Sequence, residues 1–206
     1  MNDDATIHLV DDEPDLRRAL ARLLRTEGFQ VASHESGEAF LEAVPARELG
    51  CLLLDISMPG IDGLETQRQM QQRGLRLPIV FLTARGGLPE SVRAVKAGAV
   101  DFLAKPVRRE ELLAAIHTAL EQARQWRDDD AVRDALRQRL ARLTPREREV
   151  FEHVIAGRLN KVIADRLGTS EQTIKVHRGR VMEKLQANSV AELVRIAGLL
   201  GMEPAP

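Results

Sequence analysis

The stretch Cys51-Leu52-Leu53-Leu54-Asp55, followed by Ile56-Ser57-Met58-Pro59-Gly60, constrains this chain more than any other. Four consecutive apolar residues without polar alternation predict a strand buried on both faces, as in the centre of a parallel sheet. The run ends abruptly in a carboxylate, and Pro59-Gly60 breaks regular structure just beyond it. An acid therefore stands at the carboxyl end of a buried strand, where open α/β sheets place their ligands.

The rest of residues 1–120 repeats this logic. A first strand expected at Ile7, His8, Leu9 and Val10 also ends in acids, Asp11-Asp12-Glu13. Pro14 then suits a helix start, with Leu16, Leu20, Leu23 and Leu24 as its stripe and Gly28 as its stop. Further strands are expected at 29–33, 78–82 and 100–103. Helices are expected from Ser36-Gly37, over 63–72, over 89–97 after a Gly86-Gly87 loop, and from 108 onward. Five strands alternating with helices predict a doubly wound parallel sheet. Its carboxyl edge gathers Asp11, Asp12, Asp55, Thr83 and Lys105. Pro106 makes the Lys105–Pro106 bond one that can be cis, which would aim the ammonium into the site, although trans is the majority state.

From 121 to 143 the pattern changes. The run 121–130 is polar and contains no Gly or Pro, and Val132, Leu136, Leu140 and Leu143 follow at helical spacing. A helical linker over 121–142 is expected, and its stripe fits either a coiled-coil seam or light packing on its own domain. The remainder, 143–206, predicts a small all-α domain of four helices. Thr144-Pro145-Arg146-Glu147 is a capping box. Asn160 is read as the cap of a second helix ended by Gly168, Ser170 opens a third running to Leu185, and a fourth covers 190–200. A helix, a short glycine turn and a helix carrying Lys175, His177, Arg178, Arg180 and Lys184 form a helix-turn-helix. Those cations would neutralise phosphates and reach base edges.

Charge follows the division: residues 1–120 have four more acidic than basic side chains, and residues 121–206 three more basic than acidic. The first half suits a cation and the second a polyanion. Cys51, the single cysteine, excludes an internal disulfide and a cysteine-based zinc site, and reads as an inert core thiol. Met1-Asn2-Asp3-Asp4 is acidic, unlike a secretory signal, and no apolar stretch approaches the ~20 residues of a membrane span. A cytoplasmic protein without a membrane partner is expected.

Carboxylates without imidazole or thiolate favour a hard divalent ion, Mg²⁺ above zinc. A cation beside a carboxylate, a hydroxyl and a lysine fits phosphoryl transfer onto Asp55, with Lys105 giving fixed charge and Thr83 a hydrogen bond. Taken singly, each has an ordinary reading: Asp12 as a helix cap, Thr83 as a strand end, Lys105 as a surface lysine. Their coincidence at the ends of the right strands carries the argument.

Asp11-Asp12, Asp55, Thr83-Ala84 and Lys105-Pro106 resemble the receiver domain of two-component response regulators, over about residues 5–120. Thr144-Pro145-Arg146-Glu147-Arg148-Glu149-Val150, Gly157, Asn160-Lys161, Ile163-Ala164, Leu167, Ser170, Thr173-Ile174-Lys175-Val176-His177 and Lys184-Leu185 resemble the LuxR-type helix-turn-helix. Together the chain resembles a NarL/FixJ-type response regulator with a flavodoxin-like receiver. The resemblance implies that Asp55 takes phosphate from a sensor histidine kinase, with Mg²⁺ held by Asp12, Asp55 and the Ser57 carbonyl and positioned by Asp11. It implies that Thr83 and Phe102 are switch residues and that phosphorylation yields a homodimer through the face over 89–102. Lys175 and Val176 would contact the bases of a duplex DNA operator, and Lys161, Thr173, Arg178 and Arg180 its phosphates. RNA polymerase is a further implied partner. Gly179 departs from the polar, DNA-facing residue usual after Arg178, and Arg178 or Arg180 would take over that contact.

Four alternatives compete. An aspartate-nucleophile phosphatase of the haloacid-dehalogenase class needs a second acid where Ser57 stands, and a hydroxyl is a poor general acid. A receiver-only adaptor does not explain the basic helix. An RNA-binding antiterminator is disfavoured by the LuxR-type residues. A phosphate-independent regulator, using its receiver as an interaction module, is disfavoured by the complete acid, threonine and lysine set.

Overall fold

The computed structural model describes residues 5–45, 47–84, 98–203 and 205. These divide into two compact units, 1–127 and 128–206. The expected loop at Gly86-Gly87 and the helix 89–97 lie outside the described residues.

In the first unit, β1 (Thr6–Val10), β2 (Gln30–His34), β3 (Gly50–Asp55), β4 (Ile79–Ala84) and β5 (Asp101–Lys105) form one sheet in the order β2-β1-β3-β4-β5. Every pairing is parallel. Strand periodicity sorts the core into two layers. Ile7, Leu9, Cys51, Leu53, Val80 and Leu82 face one way, onto Leu20 and Leu24 of α1 (Pro14–Thr26) and Leu112 and Ile116 of α4 (Arg109–Ala141). Val10, Leu52, Leu54, Ile79 and Phe81 face the other, onto Phe40 of α2 (Gly37–Ala43) and Met70 of α3 (Gly63–Gln72). Each fully buried Leu or Phe contributes roughly 1.5–3 kcal/mol. β3 is buried along its whole length, as its apolar run requires. The outer strands sit one or two residues further along than expected. Phe29 precedes β2 as a buried core residue, and β5 runs to Lys105.

The strand order changes direction between β1 and β3, which opens a crevice at their carboxyl ends. Asp11 follows β1 and Asp55 ends β3, so both stand at that crevice. A Cβ at Gly63 would lie 2.5 Å from the Asp55 carbonyl, so glycine there lets α3 pack directly beneath the acid. At the sheet's other end, Arg76 lies over the ring of Trp126, 5.0 Å from its centroid, beside a groove of about 130 Å³.

The second unit holds α5 (Pro145–Ile155), α6 (Asn160–Arg166), α7 (Glu171–Leu185) and α8 (Val190–Leu199). Its core joins Val150, Phe151 and Val154 to Ile163, Ile174, Val181, Leu185, Leu193 and Ile196. Leu136, Leu140 and Leu143 are buried in this same core, whereas Val132 is 54% exposed. Thr144 and Glu147 form the expected capping box. The expected Asn160 cap is corrected. Leu159, which has no polar side chain, holds the N-cap position of α6, and the Asn160 amide oxygen instead accepts from Arg178 Nη1 at 3.0 Å. No helix among the described residues is long and apolar enough to cross a membrane.

Candidate functional site

In the first unit, Lys105 is the hub of the crevice. Its Nζ lies 2.8 Å from Asp55 Oδ2, 2.9 Å from Asp11 Oδ2 and 3.1 Å from Glu13 Oε1. The Lys105–Pro106 peptide bond is cis. Asp55 Oδ1 accepts from the Ser57 amide at 3.3 Å, and Asp11 Oδ1 from the Glu13 amide at 2.8 Å. Arg17 of α1 donates to the Asp11 carbonyl and fixes the turn after β1. Asp11 and Asp55 are buried, Asp12 is half-buried and Glu13 is exposed.

Burial pushes the Asp55 carboxyl above its ordinary value, against the pull of Lys105. Burial also works against the Lys105 charge, yet its bonds to Asp55 and Asp11 hold the ammonium above the usual lysine range. Lys105 is shared by three carboxylates, and Asp12 stands beside two of them, so negative charge remains uncompensated. Ligand oxygens of Asp11, Asp12 and Asp55 lie within 4.8 Å of one another. Opposite oxygens around a six-coordinate Mg²⁺ stand about 4.2 Å apart. The all-oxygen set therefore fits a hard divalent cation after a small side-chain adjustment.

Thr83 is half-buried at the end of β4, and its hydroxyl donates to the Ala84 carbonyl at 3.1 Å. Phe102 in β5 is half-buried and stacked on Phe81, with ring centroids 5.4 Å apart. Glu13 stands in the acidic run after β1, but only the fold reveals that it shares Lys105. Another buried polar chain was not legible in the sequence. His8 Nδ1 is 3.1 Å from His34 Nε2, and His8 Nε2 is 3.3 Å from Glu48 Oε1.

In the second unit, the structure sorts the basic side chains. Arg178 is tied to Asn160, Lys184 lies 2.6 Å from the buried Glu147, and Arg146 reaches the Leu167 carbonyl in the turn. Lys161, Lys175 and Arg180 are exposed and have no hydrogen bond or ion pair among the described residues. Val176 beside Lys175 is 45% exposed. Ser170 caps α7 by accepting from the Thr173 amide, and the Thr173 hydroxyl lies 2.8 Å from Ser170 Oγ.

Fold and site define the class: an α/β receiver with an acidic crevice, joined in one chain to a helix-turn-helix unit with a free basic face. The family described as response regulator receiver domain matches residues 7–117, and bacterial regulatory proteins, luxR family, matches residues 141–197. The transcriptional regulatory protein FixJ of Bradyrhizobium diazoefficiens is 43% identical over 95% of this chain and 96% of its own. The response regulator protein TmoT of Ectopseudomonas mendocina is 42% identical, over 95% and 90%. The solved structure of the response regulator StyR is similar with a TM-score of 0.78 at 42% identity, covering 95% of this chain and 98% of its own. Full-length FixJ from B. japonicum gives a TM-score of 0.59 at 41% identity, covering 98% of each. The chain belongs to the two-component response regulators with a receiver and a LuxR-type DNA-binding domain. It is a transcriptional regulator rather than a typical enzyme. Membership implies a histidine kinase as the receiver's partner and DNA as the partner of the helix-turn-helix.

Proposed function

We propose that Asp55 is the phosphoacceptor and that its modification controls DNA binding. The observation that carries this reading is the Lys105 ammonium held by Asp55 and Asp11 in a buried crevice at the switch point of the sheet. An Asp55 carboxylate oxygen attacks the phosphorus of the kinase's phosphohistidine. An oxygen–phosphorus bond forms, the phosphorus–nitrogen bond breaks, and the imidazole leaves with the electron pair. Lys105 supplies positive charge to the phosphoryl oxygens, and the Thr83 hydroxyl turns to donate to one of them. Mg²⁺ bound by Asp11, Asp12, Asp55 and the Ser57 carbonyl would neutralise the charge that Lys105 leaves uncompensated.

Phosphorylation adds about −1.5 to −2 charges at Asp55. Phe102 turns inward, and the stretch 89–102, of which 89–97 lie outside the described residues, serves as the contact for a second copy, giving a homodimer. A shift from 1:99 to 99:1 needs roughly 5.5 kcal/mol of differential stabilisation. Two copies present two α7 helices to half-sites about 34 Å apart, or a multiple. Lys175 and Val176 face the bases, while Lys161, Thr173 and Arg180 face phosphates. Arg178 contributes only what Asn160 leaves of its guanidinium. RNA polymerase is then engaged at the promoter, within the cytoplasm.

The test is incubation of wild type and Asp55→Asn with Mg²⁺ and acetyl phosphate or beryllofluoride, read by intact mass and light scattering. Modification and dimers in wild type alone support the reading. Modification without dimers moves control to release of the DNA-binding unit within a monomer. No modification, even with the cognate kinase, leaves a phosphate-independent DNA-binding regulator.

A further inference from the structure

Glycine inside a helix sacrifices stability relative to alanine, because the unfolded chain has more freedom to lose. Most described glycines have a reason within the chain. Seven take positive φ. A Cβ at Gly37, Gly50 or Gly63 would collide with Thr66 Oγ1, the Thr6 carbonyl or the Asp55 carbonyl. Gly198 has open space but sits in the last turn of α8. Gly179 is different: it lies in the middle of α7 with helical backbone, and a Cβ there would meet nothing within 4 Å. No contact among the described residues calls for glycine at that position.

Its surroundings face outward. Lys175 and Val176 stand four and three residues earlier, on the same side of the helix, and both are exposed. Arg180 follows and is exposed too. A bare patch of backbone therefore sits beside an unpaired cation and an apolar side chain held in water.

We propose that Gly179 is a specificity-determining position. Its missing side chain lets the α7 backbone press against the major-groove floor of duplex DNA, so that Val176 meets apolar base edges and Lys175 reaches acceptors. A methyl at Gly179 would hold the helix off by about one carbon–carbon bond, ~1.5 Å. That is enough to take a ~2.9 Å hydrogen bond out of useful range. The inference rests on α7 being the DNA-facing helix.

The test uses the full chain with Mg²⁺ and beryllofluoride, and duplexes that wild type selects from a randomised pool. Binding, salt dependence and thermal midpoint are measured for wild type, Gly179→Ala, Gly179→Leu and Lys175→Ala. Both glycine variants are expected to raise the midpoint of the C-terminal unit while weakening binding to the wild-type duplex. The loss should be roughly tenfold for Ala, the worth of one good base contact, and larger for Leu. The salt slope stays unchanged, and Gly179→Leu selects different bases under the helix centre. Wild-type affinity and sequence choice in Gly179→Leu, alongside loss in Lys175→Ala, overturns the inference alone. Retained affinity in Lys175→Ala as well overturns the assignment of α7 to DNA.

Discussion

Lys184 Nζ on α7 lies 2.6 Å from Glu147 Oε2 on α5, and that carboxylate is only 2% exposed. The same side chain accepts from the Thr144 amide, so one carboxylate both caps α5 and anchors the helix proposed to meet DNA. Lys184→Met would leave this acid buried with only its cap bond. A loss of ~2–3 kcal/mol is expected, below the roughly 3–5 kcal/mol of a fully buried pair because Lys184 is partly exposed. Urea unfolding of a Lys184/Glu147 double-mutant cycle measures it, and additive single losses would show that the pair is uncoupled.

That acid also gives the unit a pH response. Burial opposes the Glu147 charge, but Lys184 and Thr144 outweigh it and hold the carboxyl below its usual value of 4.5. A lowered folded value means that the contribution is complete above the unfolded carboxylate range and is lost as pH falls through the folded value. The midpoint of the second unit should fall more steeply below pH ~4.5 in wild type than in Glu147→Gln.

The histidine pair predicts a response at milder pH. Burial first, and His8 second, push His34 down to about 4, against an ordinary value of 6.5. The unfolded chain therefore binds the extra proton, so stability is complete above 6.5 and declines as pH falls toward about 4. Thermal midpoints at pH 7 and pH 5 should differ more in wild type than in His34→Gln. Equal differences would remove the pair from the account.

Asp55 has the opposite sign. Its carboxyl is raised by burial, so the charged form strains the apo receiver at neutral pH. Asp55→Asn should raise the metal-free midpoint at pH 7, a gain in stability on the order of 1 kcal/mol. Mg²⁺ should stabilise wild type by mass action and the variant far less. Calorimetric scans with and without Mg²⁺ decide both points.

On DNA, the sorted cations should behave differently. Lys161→Ala and Arg180→Ala should each lower the slope of log K against log salt by about 0.9 without moving the thermal midpoint. Arg178→Ala should lower the midpoint and cost about 1 kcal/mol of stability, because it frees Asn160 from the bond that joins α6 to α7. A salt titration of each variant on one duplex separates the two behaviours.

The features legible in the sequence were those written locally. The run ending in Asp55, the acids after Val10 and the Thr144 capping box each lie within a few neighbouring residues, and strand and helix periods followed from them. What stayed hidden depends on pairs far apart in the chain. Asn160 looks like a cap until Arg178, from the next helix, takes its amide. Lys184 looks like one more surface cation until α7 packs on α5 and brings Glu147 to it. His8 and His34 meet only because β1 and β2 pair with Val10 opposite His34. Residue types named the chemistry of the crevice, but the register of the sheet decided that Glu13 shares Lys105.

The helix α4 supplies Leu112 and Ile116 to one core and Leu136 and Leu140 to another. Its Ala123 is the last buried residue before Leu136. A hybrid gene spliced between these two positions would transmit both hydrophobic interiors whole. A splice at the turn near Arg142 would orphan the leucines that close the second interior. The natural seam for exchanging sensory and operator specificities among relatives therefore lies within the helix rather than at its end.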